Sequence, residues 1–593
     1  MRWQKRGGAP GAEKIARLLA AATEIPEAVA SLLAARGIQN PEEAHRFLHP
    51  TLKDLHDPMK MLGMAAAVER LERAIAEREP VLIYGDYDVD GTMATVILKT
   101  AVELLGGKCS FHVPHRLLEG YGMRDEVIER AASEGVKLII SVDTGIRAFA
   151  AAETAERVGV DLIVTDHHLV ATGEGVPHAL SVLNPNQPGC GYPCKGLSGA
   201  GVAFKVAQAL LERAGRARLV PSFLKIVAIA TIADSVPLLG ENRAMVALGL
   251  QGLSRVVNPG LEALLEVCEL GTSAANRRAP SASEVAFRIA PRINAAGRMD
   301  VAKDVVELFT VKDTVRAQEL AARLNQLNVD RQQEEQRISE AVLRQVEESA
   351  ELRESLCLVV DGEGWHRGVI GICASRVVER FGRPAVVIAC DGEEAHGSGR
   401  SVPGFHLLDA LESAPELFLR FGGHAHAVGF AMRAEHVGEL RRRMNEYART
   451  QLAGERMEPV MEYDAELSMD EVTPRLWEQL RSLQPFGMGN PEPVFLARGA
   501  TLMGEPKVMR EKHMKLKLRR YASGQSGAMA RGLDALGWRM AHRLEAEPLA
   551  GGMAVDVLFR IEQNTHKDFG GGLQLVLSDY RRTASESAAS GGG

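Results

Sequence analysis

The spacing of apolar residues changes along the chain, and each change marks a different kind of structure. Residues 1–75 carry apolar side chains at helical intervals, as at Ile15, Leu18 and Leu19, which predicts a helical N-terminal lead-in. From residue 76 to about residue 235, short apolar runs such as VLIY and KLIISV alternate with amphipathic helical patterns. This alternation predicts an α/β fold with a mainly parallel sheet that has helices on both faces.

A long helix is predicted over residues 313–354. Good helix formers dominate this segment, and residues 298–361 contain neither Gly nor Pro. Leu320 and Leu324 belong to an apolar stripe, but Asp330–Arg337 is almost wholly polar. A helix that is polar all round favours a solvated connector between domains. A homodimeric coiled coil is the alternative, although the apolar stripe is short for one.

Two further patterns follow the long helix. The apolar runs SLCLVVDG and RPAVVIACDG bracket a helical pattern and predict a second, smaller α/β domain over residues 355–453. From 454 to 581, short alternating runs between turn residues predict a small β-barrel. One such run, HMKLKLRR, alternates apolar and mostly basic residues, so one of its faces would be basic, unless it is an ordinary solvated strand. The small polar residues of 582–593 predict a disordered tail.

Composition narrows the partners and the location. The net charge of −7 excludes a wholesale polycation, so any contact with nucleic acid must come from local basic patches. Seven scattered cysteines do not suggest a disulfide framework, and this favours a cytoplasmic protein. No apolar run is long enough to span a membrane, and no apolar stretch of a secretory signal follows the basic first residues. We therefore expect no membrane association.

The stretch VLIYGDYDVDGT, residues 81–92, carries the first sign of chemistry. Asp86, Asp88 and Asp90 follow a buried strand and alternate with other residues, so an extended chain would project all three to one side. Three negative charges so close together repel one another. A hard divalent cation such as Mn²⁺ or Mg²⁺ would offset this repulsion, because carboxylate oxygens are its preferred ligands. The alternative is a solvated acidic turn before a helix.

Other potential ligands stand at the ends of the neighbouring predicted strands. In open parallel sheets, the carboxyl ends of the strands carry the site. A single Asp or His at a strand end would be explained as a helix cap or turn residue. Because such residues stand at the ends of several strands, a metal site is favoured. These residues are Asp143, Asp166, His167 and His168, to which Asp234 adds a carboxylate at the end of an apolar segment.

Four of these segments resemble the motifs of a known family. GDYDVDG, SVDTG, TDHH and ATIADSVPL are similar to the four motifs of the DHH phosphoesterase superfamily. RINAAGRMD at 292–300 narrows the resemblance to the branch of bacterial single-strand-specific DNA exonucleases. GWHRGVIGICASRV (364–377), SGRS (398–401) and GGHAHAVGF (422–430) resemble the associated DHHA1 domain. The resemblance spans residues 76–500 in the family's order.

The resemblance implies a domain organisation. Residues 76–312 would form the DHH catalytic domain, 355–453 the DHHA1 domain, and 454–581 a DNA-binding domain with an OB-like fold. The segment between the first two would be the connector helix. Tyr84 stands where small-substrate members carry a metal-binding His, and Asp86 stands where they carry Asn. This departure leaves open whether Asp86 is a direct ligand or supports the site.

The resemblance also implies a two-metal phosphodiesterase site. Two ions can activate a water, neutralise the phosphoryl oxygens and help the leaving alkoxide. Asp143 would bridge the ions, Asp88 would hold one of them, and His168 would contact the scissile phosphate. The ligands implied for the other ion are Asp90, His167 and Asp234. The mixture of oxygen and imidazole ligands favours Mn²⁺ over Zn²⁺, with Mg²⁺ as a further candidate.

Substrate contacts are expected from three further groups. The first is an anion pocket for a terminal 5′ phosphate, although its arginines would equally suit surface ion pairs; its residues are Arg292, Asn294, Arg298 and, with a weaker claim, Arg116. The second is a phosphate site in the DHHA1 domain, in which Arg400 and His424 would act on the phosphate; its residues are His366, Arg400, Gly422, Gly423 and His424. The third is the basic face of the barrel; its residues are Lys515, Lys517 and Arg519.

The function implied is a 5′-to-3′ exonuclease that degrades single-stranded DNA to mononucleotides in recombination and repair. A single-strand-binding protein and a RecQ-type helicase are implied as partners by the family alone, and a monomer is expected. Aromatic residues make up only 5% of the chain, so backbone contacts should outweigh base stacking. One alternative is a DHH phosphoesterase acting on short oligonucleotides or cyclic dinucleotides. The other is a catalytically silent nucleic-acid-binding scaffold.

Overall fold

The computed structural model describes residues 2–7, 11–23, 25–116, 118–120, 122–170, 173, 175–271, 278–299, 302–452, 460–520, 531–564 and 572–583. They form two compact units, one from segments 1–54, 237–244 and 458–593, and the other from 55–236 and 245–457. In the part of the chain so described, no helix is long and apolar enough to cross a bilayer. The predicted disordered tail lies outside these residues, apart from its first two positions.

The N-terminal segment divides between the two units. It contains strand β1 (Arg2–Lys5) and helices α1 (Ala12–Thr23), α2 (Glu27–Ala35), α3 (Pro41–Leu48) and α4 (Met64–Glu77). Leu19, Leu33 and Phe47 lie in one buried core with strands near the C-terminus, and β1 pairs in parallel with residues 460–463. Helix α4 instead belongs to the unit that carries the acidic loop. The structure thus does not keep residues 1–75 together as one lead-in.

A five-stranded parallel sheet holds the predicted strand ends, which confirms the expected fold class. Its strands are β2 (Pro80–Tyr84), β3 (Lys108–His112), β4 (Leu138–Val142), β5 (Asp161–Thr165) and β6 (Ser181–Leu183), in the order β3-β2-β4-β5-β6. Ile83, Ile140 and Ile163 are fully buried, as are Ile139 and Val164 beside them in sequence. Both faces of the sheet are therefore covered, as parallel sheets require.

Helices complete this part of the unit. The three that follow sheet strands are α5 (Val89–Leu104), α6 (Asp125–Ser133) and α7 (Phe149–Val158). Those that follow the sheet are α8 (Gly199–Arg213), α9 (Val220–Ala233), α10 (Gly240–Gly252), of which only residues 245–252 belong to this unit, α11 (Pro259–Val267), α12 (Ala282–Glu284), a π-helical turn at Val285–Ile289, α13 (Ala290–Met299) and α14 (Lys303–Thr310). Helices α8 and α9 each pack against α5, whose first turn carries Asp90.

The long helix α15 (Thr314–Glu348) is present, but one side of its polar middle is buried. Asn328, Arg331 and Glu335 are buried, and they continue the stripe formed by Leu324 on one side and Ile338 on the other. The spacing of three and four residues keeps these side chains on one face of a helix. The expectation of a helix that is solvated all round is therefore wrong, because one side of the polar run faces protein while the other side faces water.

The second α/β domain follows α15 through α16 (Ala350–Glu354). Its strands are β7 (Leu358–Glu363), β8 (Ala385–Asp391), β9 (Glu394–Arg400), β10 (Phe418–His424) and β11 (Ala427–Arg433), in the order β10-β11-β9-β8-β7. Its helices are α17 (Ile370–Phe381), α18 (Leu407–Glu412) and α19 (Val437–Gln451). Only β7 and β8 pair in parallel in this described sheet. Strand β10 lies at the edge of the sheet.

The C-terminal part of the other unit is built around a seven-stranded sheet. Its elements are β12 (Val460–Tyr463), β13 (Ala465–Glu466), α20 (Pro474–Arg481), β14 (Phe495–Thr501), β15 (Lys507–Met509), β16 (His513–Arg520), β17 (Arg531–Gly537), α21 (Arg543–Ala546), β18 (Ala554–Gln563) and β19 (Leu573–Arg582). Beyond β14, Leu502 pairs with Leu518, and Met503 N donates to Lys517 O at 2.7 Å. These contacts bring the strand order β13-β14-β18-β19-β17-β16-β15 back towards its own beginning, as in a barrel.

Candidate active site

The acidic loop joins β2 to α5. Asp88 caps α5, since its Oδ1 accepts from Gly91 N at 3.0 Å. Gly91 also lets the loop fold back, because a Cβ there would lie 2.6 Å from the Cβ of Asp86. Asp86 itself is only 4% exposed. Its Oδ1 makes no hydrogen bond with any described residue.

Asp90 is held by the start of another helix. Its Oδ2 accepts from Gly199 N at 2.5 Å and its Oδ1 from Ala200 N at 2.9 Å. Gly199 is the first residue of α8, where free N–H groups and the helix dipole favour a negative charge. A Cβ at Gly199 would lie 2.5 Å from Asp143 Oδ1, so glycine permits both carboxylates to approach this backbone.

Asp143 lies at the centre of the site in an unusual conformation. It directly follows β4 and has a φ of 60°, in the left-handed region that non-glycine residues seldom occupy. Its side chain is buried, and its Oδ1 has no hydrogen-bond partner among the described residues. Backbone strain of this kind is concentrated at functional sites, where the surroundings hold it in place.

One nitrogen of His167 faces three carboxylates. Its Nε2 lies 3.2 Å from Asp143 Oδ1, 3.8 Å from Asp90 Oδ2 and 3.7 Å from Asp234 Oδ2. The backbone of the histidine is fixed in turn by Asn186, whose Nδ2 donates to His167 O at 2.9 Å. Asp234 follows α9, and its Oδ2 lacks a hydrogen bond within the described chain. A cation could therefore bind between His167 Nε2 and these carboxylate oxygens.

His168 is oriented by Asp166. Its Nδ1 lies 2.7 Å from Asp166 Oδ1, which also accepts from His167 N. Asp166 Oδ2 accepts from Ile146 N at 2.9 Å. Burial alone would raise the pKa of Asp166, but the bond with His168 and these backbone donors hold it below its usual value. Burial opposes the charge of His168, yet Asp166 raises its pKa to about 9.

The carboxylates are difficult to ionise together without a cation. Burial first, and Asp88 second, raise the pKa of Asp86 to about 8. Burial and then the charges of Asp90 and Asp88 raise the pKa of Asp234 to about 8. Burial and the neighbouring aspartates also raise the pKa of Asp143 well above its usual value. Such groups need a compensating positive charge.

The geometry fits two cation sites. One group is Asp86, Asp88 and Asp143, another is Asp90, His167 and Asp234, and a third is Asp143, His167 and His168, each with ligand atoms within 4.8 Å of one another. The unpartnered oxygens of Asp86, Asp143 and Asp234 are the acceptors that a hard cation would use. Every metal ligand that the resemblance implies is thus in this one cluster, and Asp143 is common to two of the groups. Asp166, another potential ligand from the sequence, is in none of the three groups.

Tyr84 does not replace the histidine that small-substrate relatives carry. It is fully buried, and its hydroxyl donates to Gly122 O and accepts from Arg124 N, both at 3.2 Å. Burial is the main cause that raises the pKa of this phenol to about 12, so it stays neutral. Asp86, two residues further on, belongs to the metal-ligand cluster instead.

A group of arginines lies in the same unit. Burial first, and then the positive charges of Arg116, Arg331 and Arg400, lower the pKa of Arg298 to about 10. Arg116 also lies over the ring of Tyr87, 4.9 Å from its centroid. Among the described residues, Arg116, Arg298 and Arg400 form no ion pair with a carboxylate. Like charges gathered in this way favour the binding of an anion such as a phosphate.

Two of the predicted anion-binding residues have other partners. Arg292 Nε donates to Asn325 Oδ1 at 2.9 Å, and its Nη1 donates to Arg288 O at 2.6 Å. Asn294 Oδ1 accepts from Val89 N at 3.2 Å, so it supports the acidic loop. Sequence reasoning missed Arg331, whose Nη1 forms an ion pair with Glu335 Oε2 at 2.6 Å and whose Nη2 donates to Asn328 Oδ1 at 3.0 Å. In the sequence, the three- and four-residue spacing that places Arg331 on the buried stripe of α15 could have indicated that it is buried.

The second domain presents its predicted residues differently. Arg400 Nη1 donates to Gly399 O at 2.7 Å, and burial, followed by Arg116, lowers its pKa. His424 is exposed on the edge strand β10, and its Nδ1 accepts from His426 N at 3.3 Å. A Cβ at Gly422 would meet no atom, whereas at Gly423 it would lie 2.3 Å from Ala427 O. The backbone of Gly422 is therefore open to the approach of a ligand. At position 423 only glycine fits, because a side chain would collide with Ala427 O.

His366 borders a wide, open cavity of about 770 Å³ beside α15. Its Nδ1 accepts from Gly368 N at 3.1 Å, and burial lowers its pKa, although Glu334 opposes this. Gly368 in turn packs against Arg298, whose Nη1 donates to Gly368 O at 3.2 Å. The local contacts of His366 thus connect it to the arginine group through one glycine.

On the barrel, the predicted alternation of HMKLKLRR is confirmed. Met514, Leu516 and Leu518 are buried, and Lys517 is exposed on the opposite face. Lys515 forms an ion pair with Asp534 at 2.7 Å, which reduces its positive field. Arg519 is half-buried. The basic face exists, but its predicted residues do not contribute equally.

Comparison with known proteins gives matches to three family domains. Residues 80–231 match the N-terminal domain of the DHH family, 354–450 the DHHA1 domain, and 463–579 the RecJ OB domain. These matched ranges follow the order of the parallel sheet, the second α/β domain and the barrel.

Similar proteins cover most of the chain. The single-stranded-DNA-specific exonuclease RecJ of Bacillus subtilis (strain 168) is 39% identical over 526 residues, which are 88% of this chain and 65% of that protein. The chain thus spans slightly less than two thirds of that relative. The exonuclease of the same name from Dickeya dadantii (strain 3937) is 36% identical over 575 residues, which are 91% of this chain and 97% of that protein.

A solved structure has the same architecture. The crystal structure of RecJ in complex with Mn²⁺ from Thermus thermophilus is 30% identical, with a TM-score of 0.80. The match covers 98% of this chain and 80% of the other.

Proposed function

We propose, from the premise that this chain belongs to the RecJ family, that it is a metal-dependent exonuclease that removes mononucleotides from the 5′ end of single-stranded DNA. The observation that carries the proposal is the convergence of four aspartates and His167 from the carboxyl ends of parallel strands with Asp234 from the end of α9, with buried oxygens that lack hydrogen-bond partners among the described residues. The relatives with this name are specific for single-stranded DNA. We place the activity in DNA recombination and repair.

The cluster would hold two divalent ions, Mn²⁺ or Mg²⁺. When bound, the ions supply charge neutralisation, an activated water and stabilisation of the leaving alkoxide. Asp86, Asp88 and Asp143 would hold one ion. Asp90, His167 and Asp234 would hold the other, with Asp143 shared. The strained backbone of Asp143 would fix its carboxylate between the two ligand groups.

His168 would contact the scissile phosphate directly. The ion pair with Asp166 keeps its ring oriented, and the raised pKa keeps it cationic at neutral pH. It would therefore donate a charge-assisted hydrogen bond to a phosphoryl oxygen, which gains negative charge during the reaction. Asp166 acts through His168 and is a positioning residue.

The arginine group would select a strand end. A terminal phosphate carries up to two negative charges, whereas an internal diester carries one, so concentrated positive charge favours the end. Arg298 would lie at the centre of this pocket, with Arg116, Arg331 and Arg400 around it. This preference would make the enzyme an exonuclease and would give it 5′ polarity. Arg292 and Asn294 would support the pocket and the acidic loop from behind.

Other residues would hold the strand. Gly422 gives room for a close backbone approach, and His424 beside it would donate to a phosphate. His366 would act near Arg298. On the barrel, Lys517, Arg519 and, less strongly, Lys515 would contact phosphates. Such contacts to the backbone carry little sequence preference.

The cellular setting is also part of the proposal. We place the enzyme in the cytoplasm as a monomer, and all seven cysteines are free thiols in the structure, as that compartment favours. A helicase of the RecQ type would supply free single-stranded ends. A single-strand-binding protein would present them.

Purified protein, Mn²⁺ and a single strand labelled at its 3′ end test the proposal. We expect a ladder that shortens from the 5′ end and mononucleotides as products, with no cleavage of the duplex. Cleavage confined to di- or trinucleotides, or to a cyclic dinucleotide, would indicate a small-substrate phosphoesterase. Binding without cleavage in Mn²⁺ and in Mg²⁺ would indicate a scaffold.

A further inference from the structure

One tryptophan of the barrel is exposed to solvent without an evident structural reason. Trp538 follows β17 and is 53% exposed. The other three tryptophans, Trp3, Trp365 and Trp477, are buried or half-buried. A large apolar ring at a fixed exposed position is typical of a binding surface rather than of a core.

The ring is held by a residue from the neighbouring strand. Met514 pairs with Gly537, so the register places Trp538 opposite His513. Their ring centroids are 5.0 Å apart, and the planes meet at 79°, an edge-to-face contact. Because His513 meets the tryptophan edge to face, the two rings are not stacked on each other, and ring surface remains open to solvent.

Backbone contacts fix both loops at this end of the barrel. His513 Nδ1 accepts from Arg539 N at 2.9 Å, which sets the imidazole orientation. Ala541 N donates to Lys512 O at 3.2 Å. The platform is thus prepared before any ligand arrives, and little ordering would be needed on binding.

The charges around Trp538 are nearly all positive. Segments 507–515 and 538–539 contain five Lys or Arg residues and a single carboxylate, that of Glu511. Four of the five cations are exposed and form no ion pair with a carboxylate among the described residues; they are Lys507, Arg510, Lys512 and Arg539. The fifth, Lys515, is paired with Asp534. Aromatic surface within such a field complements a polyanion that carries flat bases.

We propose that Trp538 and His513 form a base-stacking platform for single-stranded DNA, with the adjacent phosphates bound by Lys507, Lys512 and Arg539. This inference rests on the proposed function and names the chemistry of one of its DNA contacts. It also changes the expectation from composition, because stacking contributes at this position although aromatic residues are scarce in the chain. Each base has a π-face, so the platform accepts any sequence.

Binding measurements on the full chain test the platform. The Asp143→Asn substitution blocks cleavage in all proteins compared, and a fluorescent 20-mer of dT is compared with an abasic strand of the same length. Trp538→Ala should lower the affinity for dT by about 5- to 150-fold, the range for loss of one base–aromatic stack. The abasic strand should bind unchanged. Trp538→Phe should keep most of the affinity, and dT should quench the emission of the exposed tryptophan in the Trp538 protein alone.

Three results would overturn the inference: unchanged dT affinity in Trp538→Ala, an equal loss for dT and abasic strands, or a loss seen for an acidic peptide but not for dT. The last result would assign the surface to an acidic protein segment. Matching thermal unfolding of the two Trp538 variants controls for folding. Failure of the proposed function would appear separately, as a lack of nuclease activity in the wild-type chain, whereas failure of this inference leaves that activity intact.

Discussion

The metal-ligand cluster and the outer face of the barrel both collect charge of one sign, but they do so in opposite environments. Asp86, Asp90 and Asp143 of the cluster are buried, Asp88 and Asp234 are half-buried, and three oxygens of the cluster have no hydrogen-bond partner among the described residues. Cations of the barrel face such as Lys517 are exposed to solvent, so holding them costs little. Buried like charges are stable only with a counter-charge, which makes the cluster a site for specific ligands. The barrel face acts through many weak contacts.

The largest loss of activity is expected for Asp143→Asn, in the metal-ligand cluster. The substitution removes a carboxylate shared by two ligand groups but keeps the side-chain shape, so cleavage should fall by more than about 100-fold, the upper effect of losing an outer-shell partner. Without metal, thermal stability should be equal or higher, because a buried charge has been removed. Glu126→Gln, on the exposed side of α6, is the matched control. Retained cleavage in Asp143→Asn would contradict the assignment.

Metal and pH should act together on stability. Asp86 and Asp234 have pKa values of about 8 in the folded state, mainly through burial, against about 3.9 for an aspartate in the unfolded chain. The folded state therefore binds more protons, and metal-free stability should be greatest below about pH 4 with respect to these groups and should be lost as pH rises through 8. Mn²⁺ requires the ionised form, so the stabilisation that it gives should grow with pH.

The measurement is thermal unfolding from pH 6 to pH 9, in EDTA and in Mn²⁺. At a free concentration of 100 times Kd, each bound ion should add about 2.7 kcal/mol. The matched control is the Asp143→Asn protein, in which the difference between the two conditions should shrink. A stabilisation by Mn²⁺ that does not change with pH would show that these carboxylates are not its ligands.

A smaller effect is expected in the arginine group, where two arginines of one helix provide a matched pair. Arg298→Met removes a cation that has no carboxylate partner within the described structure. It should lower the preference for a 5′-phosphate end over a 5′-hydroxyl end by about 10- to 100-fold, as for the loss of a hydrogen bond to a charged group. Arg292→Met should leave that preference intact, since Arg292 is bonded to Asn325 and Arg288. The preference is measured from initial rates on 5′-phosphate and 5′-hydroxyl ends. Equal effects of both variants would show that Arg298 has no special role in binding the terminal phosphate.

The smallest effect is expected on the barrel face. Lys517→Ala should reduce the slope of log affinity against log salt by about 1, with a stability change within about 0.5 kcal/mol. Lys515→Ala should change the slope less, because Asp534 already neutralises Lys515. Binding titrations at several salt concentrations give both slopes. A loss of catalytic turnover in Lys517→Ala would contradict the contrast between a solvated face and a buried cluster.

The metal-ligand cluster could be predicted because its residues stand at strand ends, which can be recognised from short segments of the sequence. Strand ends are visible in the sequence, and parallel strands place their ends at one edge, so Asp143 and His167 follow from apolar runs alone. The resemblance then added the division of roles among the aspartates. The sequence did not predict that Asp166 is the hydrogen-bond partner of His168. From its place at a strand end, Asp166 was instead expected to be another metal ligand, whereas it accepts hydrogen bonds from backbone N–H groups and from the imidazole.

The remaining features depend on how distant segments pack. Arg331 was overlooked because a polar run in a helix resembles a solvated surface, although its spacing continues the stripe from Leu324 to Ile338. Arg292 and Arg298 look equivalent in sequence, and only their neighbours separate them. Trp538 and His513 meet through strand register, which no local pattern in the chain reveals.

The number of Mn²⁺ ions bound per chain tests the central claim most directly. Equilibrium dialysis with the wild-type protein should give two, because two ligand groups share Asp143. The Asp143→Asn protein should lose tight binding of both ions, while Glu126→Gln should keep two. A wild-type chain that binds only one ion, or an Asp143→Asn chain that still binds two with unchanged affinity, would contradict a two-metal site organised around Asp143.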